Sequence, residues 1–90
     1  MKLVQSVKEK TNIGKNIRAI RVRNKLSQRE TVDQLELMGI SISRSMLSQI
    51  EMGIRNVEVL VLLGLSELFH VGMDEFFEGM SVKAALSETD

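Results

Sequence analysis

The stretch SISRSMLSQIEMG, Ser41 to Gly53, decides the fold. At 3.6 residues per turn Leu47 and Ile50 fall on one side, and Arg44, Ser45, Ser48 and Gln49 on the other. Ser43 is a good helix N-cap and Gly53 a good left-handed stop, so the segment reads as a short amphipathic helix over 43–52. A solvated helix face is usually richer in Lys and Glu. This one carries one Arg, two small hydroxyls and an amide, a surface suited to lying flat against something and hydrogen-bonding to it.

Upstream, LSQRE contains a second start signal. Ser27 and Glu30 form the S-x-x-E capping box, in which the hydroxyl caps the Glu30 amide and the carboxylate reaches back to Ser27. The helix that follows runs through Val32 and Leu35 and ends near Gly39. Gln28, just inside the cap, sits where a helix N-terminus can meet an anion. Before it, Ile13, Ile17 and Ile20 predict a first helix from an Asn12 cap to about Lys25. Arg21 lies at the edge of that apolar stripe. It either is half buried and needs a carboxylate partner, or lays its stem along the core with its head in water.

Downstream, Val57 to Phe69 runs thirteen residues without a turn signal, which favours a fourth helix over a strand. It is apolar almost all round, more than one face of a small domain can hide, so the surplus is expected to pack on a partner chain or on a fifth helix. GMDEFF, Gly72 to Phe77, predicts that short fifth helix, with acids in its first turn and two aromatics to bury. Residues 1–11 read as an N-terminal arm, 12–79 as the domain, and 80–90 as a tail or short extra helix.

Bulk properties narrow the class. Ninety residues, 43% hydrophobic and 27% charged, suit one soluble globular domain. No Cys is present, so disulfides and thiolate zinc sites are excluded, in keeping with a cytoplasmic protein. The N-terminus has no apolar stretch of signal-peptide length, and the longest apolar run, Val59 to Leu65, is too short to span a bilayer. Net charge is zero, but residues 1–55 hold eleven Lys/Arg against five acids, a balance of +6, and residues 56–90 hold one Lys against seven acids, a balance of −6. Such polarity suits one end meeting a polyanion.

These segments follow helix-turn-helix logic, in which the second helix of the motif offers its side chains to the major groove. The run IGKNIRAIRVRNKLSQRE…SRSMLSQIEMGIRN…LSELFHVGMDEFF resembles the Cro/phage-repressor (XRE-type) helix-turn-helix family, over Ile13 to Phe77. The resemblance implies an all-α, five-helix repressor-like fold and a DNA-binding transcriptional regulator, expected to be a repressor. It implies base-edge contacts by Arg44, Ser45, Ser48 and Gln49, and backbone contacts by Gln28, Ser43, Arg55 and Asn56. Gln28 would touch a phosphate or brace the recognition helix, and Arg21 would pair with Glu51. Two departures stand out. The connection between the second and third helices is longer than the usual three- to four-residue turn, and Thr31 stands where the family prefers Leu.

Blander readings sit beside these. Ser45 and Ser48 are common small exposed helix residues, and Arg44 suits a solvated charge. His70, the only imidazole, lies near a helix C-terminus and reads as solvated or dipole-paired. With no Cys nucleophile or Gly-rich phosphate loop, neither catalysis nor cofactor nor metal is expected. The expected partners are double-stranded DNA and a second copy of the chain, bound through the apolar helix 57–69 and the C-terminal segment. The rival is a protein-binding adaptor or antitoxin-like module on the same fold.

Overall fold

The computed structural model describes residues 13–80. Over that span the chain is helical, with α1 at Ile13–Arg23, α2 at Gln28–Leu37, α3 at Arg44–Glu51, α4 at Val59–Phe69 and a closing 3-10 helix at Met73–Phe77. The Asn12 cap, the 1–11 arm and residues 81–90 of the expected tail lie outside the described residues.

Both predicted caps on the helix-turn-helix pair are formed. Glu30 N donates to Ser27 Oγ at 3.0 Å and Ser27 N donates to the Glu30 carboxylate at 2.8 Å, completing the capping box. At α3, Met46 N donates to Ser43 Oγ at 3.0 Å. Each of the four α-helices then ends in the same way, with paired amide-to-carbonyl bonds running back over the last turn. The pairs are Leu26 to Arg21 with Lys25 to Val22, Ile40 to Leu35 with Gly39 to Glu36, Ile54 to Gln49 with Gly53 to Ile50, and Val71 to Ser66 with His70 to Glu67. The left-handed position holds Gly39 and Gly53 in the middle two, but Lys25 (φ 60°) and His70 (φ 58°) in the outer two.

Ile17, Ile20, Leu35, Ile50, Leu65, Phe69 and Phe76 form the centre of the core. α1 packs on α3 and on the 3-10 helix, while α2 packs on both α3 and α4. Gly14 permits the tightest of these approaches, because a Cβ there would collide with the Ile50 carbonyl oxygen and lie 2.8 Å from that of Glu51. Thr31 is fully buried, and its hydroxyl donates to the Ser27 carbonyl at 2.8 Å. The position where the family prefers Leu is therefore filled by a satisfied polar group.

Three expectations need correction. α1 ends at Arg23, because the left-handed Lys25 turns the chain. α4 begins at Val59, with Glu58 as an N-cap that makes no side-chain bond. The fifth helix is a 3-10 turn that buries only Phe76, whereas Phe77 is 41% exposed. Three residues per turn place neighbouring aromatics on different sides of so short an element.

Candidate nucleic-acid interface

α3 buries Leu47, Ile50 and Glu51, and this fixes which way the rest of the helix points. Arg44 and Ser45 are exposed, and Ser48 and Gln49 are half-buried. Arg55 and Asn56, just past the Gly53 turn, are exposed on the same end of the molecule as Gln49.

Behind that face lies a chain of hydrogen bonds. The Arg21 guanidinium meets the Glu51 carboxylate with Nε at 2.6 Å from Oε2 and Nη2 at 3.0 Å from Oε1. The two residues are 8% and 5% exposed, so the pair is buried. A third Arg21 nitrogen donates to the Leu26 carbonyl at 2.8 Å. Gln28 Nε2 donates to Glu51 Oε1 at 3.0 Å, and Gln28 Oε1 accepts from Arg44 Nη1 at 3.2 Å. α1, α2 and α3 are thus joined through one carboxylate. A buried carboxylate needs such company, since removing it from water costs several kcal/mol unless its lone pairs are satisfied. Among the described residues no buried side-chain nitrogen or oxygen lacks a partner.

The Ser43 hydroxyl accepts from Met46 N and keeps its own hydrogen free to donate outward. At the other end of α3, Arg55 Nε donates to Gln49 Oε1 at 2.9 Å. On α2, the Ser27 amide and hydroxyl hold the Glu30 carboxyl below its ordinary range, the amide contributing more. Among the described residues no group of three or more His, Cys, Asp or Glu is placed to hold a metal ion. No described helix is long and apolar enough to cross a membrane.

Several contacts carry no sequence signal. Asn16 Nδ2 donates to the carbonyls of Phe76 at 2.8 Å and Glu78 at 3.0 Å, and Arg23 pairs with Glu75 at 3.1 Å, so α1 clamps the closing segment. The Arg55–Gln49 bond is of the same kind. Residue type marks each of these as polar, but only the fold brings them together.

A capped helix pair with a hydrogen-bonding face on its second helix, braced from behind by a buried ion pair, is the arrangement of a helix-turn-helix domain. The helix-turn-helix family model matches residues 17–76, two thirds of the chain. The chain belongs to that family, in its Cro/phage-repressor (XRE-type) form, whose members are DNA-binding transcription regulators. No match is found among curated proteins or among solved structures.

Proposed function

We propose that the chain is a sequence-specific double-stranded DNA-binding repressor that acts in the cytoplasm and reads the major groove with helix 43–52. The observation that carries this is the division of α3, with Leu47, Ile50 and Glu51 buried and Arg44, Ser45, Ser48 and Gln49 left outward. Arg44 serves base edges, Ser43, Arg55 and Asn56 serve the sugar-phosphate backbone, and Gln28 orients Arg44 from behind. Phosphate contacts set register and supply most of the affinity, while base contacts supply selectivity.

The protein acts as a homodimer on two half-sites about one helical turn apart. Supporting this, Val59, Leu60 and Leu63 are exposed on α4, and Leu60 and Leu63 line an open groove with Met38, Gly64 and Glu67. Sedimentation as a monomer at high micromolar concentration would remove the dimer. The same groove favours the second reading, a protein-binding adaptor.

Salt titration of duplex binding separates the two. The regulator gives a steep negative slope of log affinity against log salt, and Arg44→Ala loses about 1–3 kcal/mol of discrimination between duplexes. If wild type and Arg44→Ala bind every duplex equally weakly, the adaptor reading replaces the regulator.

A further inference from the structure

We infer that the outward face of α3 reads bases by donating hydrogen bonds, so that Gln49 faces guanine rather than the adenine an amide ordinarily pairs with. This rests on the proposed major-groove reading and says which base edge that reading takes.

The premise is the orientation of two amides. A guanidinium has five N–H donors and no acceptor, whereas a carboxylate has only acceptors. Gln28 lies between Arg44 and the Glu51 carboxylate, so its oxygen must face Arg44 and its NH2 must face Glu51, as found at 3.2 and 3.0 Å. Gln49 has Arg55 Nε at 2.9 Å, and only its oxygen can face that donor. Exchanging oxygen and nitrogen at either position would set donor against donor.

Arg55 is held there by more than its side chain. The amides of Ile54 and Arg55 both donate to the Gln49 carbonyl, at 3.0 and 3.3 Å, because Gly53 at φ +79° folds the chain back over the end of α3. Arg55 therefore starts from backbone pinned to the residue whose amide it holds. The Gln49 oxygen already accepts from a cation, which occupies one of its two lone pairs and leaves the NH2 as the more available group for a base.

No other strong acceptor compensates. Glu51, the one carboxylate of α3, is buried and committed to Arg21 and Gln28. Arg44 and Arg55 add only donors. In the major groove guanine offers two acceptors, O6 and N7, and thymine the single acceptor O4, whereas adenine pairs its N7 acceptor with the N6 donor and cytosine offers the N4 donor. An adenine opposite Gln49 would bring its N6 hydrogens to an oxygen already shared with a guanidinium. A guanine there meets donors with both of its acceptors.

The test uses the full chain and a pool of random duplexes, with Gln49→Ala to mark the base pair that Gln49 faces. Wild type is expected to enrich guanine there and at a second position that Arg44→Ala relaxes. Replacing the marked guanine by 7-deazaguanine, which lacks N7, should weaken binding about fivefold or more. Arg55→Met frees the Gln49 oxygen and should move the guanine-to-adenine ratio at the marked position toward adenine by a similar factor, leaving the Arg44 position unchanged. Any loss of phosphate affinity in that variant cancels in the ratio. Adenine at the marked position in wild type, or a ratio that Arg55→Met does not move, overturns the inference and leaves the DNA-binding reading standing. A pool with no enrichment at any position overturns both.

Discussion

Gly14→Ala sets two effects of opposite sign against each other. Alanine is the better helix former, and if nothing else changed the substitution would stabilise α1 by up to about 1 kcal/mol. The added Cβ, however, collides with the Ile50 carbonyl oxygen and lies 2.8 Å from the Glu51 oxygen. Ordinary carbon–oxygen contacts are about 3.3–3.6 Å, so α1 and the end of α3 must part by on the order of 1 Å. Both obstacles are backbone, and backbone cannot rotate aside. Overpacking of this kind costs about 1–3 kcal/mol. The same displacement loosens the Arg21–Glu51 pair, which spans the two helices two turns further along α1. The net expectation is a loss of about 1–3 kcal/mol, or roughly 5 °C or more in Tm for a domain this size. Urea unfolding should be followed by circular dichroism, since the chain has neither Trp nor Tyr to report by fluorescence. Gly64→Ala is the internal comparison. Its Cβ would meet Ile40 Cδ1 at 2.5 Å and Leu35 Cδ2 at 2.9 Å, which are side-chain ends able to turn away, so it should cost less than Gly14→Ala. A Gly14→Ala protein as stable as wild type, or more so, would refute the close approach of α1 to α3.

Other perturbations test the remaining supports. Arg21→Met or Glu51→Met alone should each cost about 3–5 kcal/mol by leaving a buried charge unpaired, while the Arg21→Met/Glu51→Met double variant should cost less than the two losses summed, as a double-mutant cycle by urea unfolding will show. Lys25→Gly and His70→Gly should each stabilise by about 0.5–1 kcal/mol, because glycine adopts the left-handed conformation without the penalty those side chains carry; unchanged melting temperatures would count against strain there. Glu30→Gln keeps the capping geometry but removes the titrating carboxyl, whose pKa is lower folded than unfolded. Its contribution is present at neutral pH and is lost as pH falls through the carboxylate range, so the stability gap between wild type and Glu30→Gln should close on acidification.

Local chemistry explains which parts of the fold could be read in advance. Ser27, Glu30 and Ser43 cap within three residues of themselves, and Gly39 and Gly53 turn the chain at their own positions, so composition and spacing sufficed for the helix-turn-helix pair. Lys25 and His70 make the same turn without the residue type that announces it, so the end of α1 at Arg23 carries no local sequence signal. GMDEFF carried an apolar pattern too short to distinguish 3-10 from α, which is why Phe77 was expected to be buried. The outward face of α3 was legible because period alone separates it from Leu47 and Ile50. Its internal bonds were not, since Gln28 reaches across 23 residues to Glu51 and Asn16 across 60 to Phe76, distances over which no periodicity operates.

A connection as long as that between α2 and α3 would ordinarily loosen the helix it leads into. Its six residues, Met38 to Ser43, instead act as a tether. In GISIS the isoleucines alternate with serines, the period of an extended chain with one side inward. Ile40 is buried and Ile42 packs against the core, while Ser41 and Ser43 are exposed. Ile40 N bonds back to Leu35, and its Cδ1 sits in the space that a side chain on Gly64 of α4 would fill. The start of α3 is therefore anchored by Ile42 beside the Ser43 cap. Its end is anchored twice, by the Glu51 carboxylate on Arg21 and Gln28 and by the Ile50 and Glu51 carbonyls against Gly14. Attachments at both ends of an eight-residue cylinder, to the core at one end and to two different helices at the other, leave it little freedom to tilt. The angle at which Arg44 and Gln49 are presented is thus set by the core and does not depend on the length of the loop that precedes them.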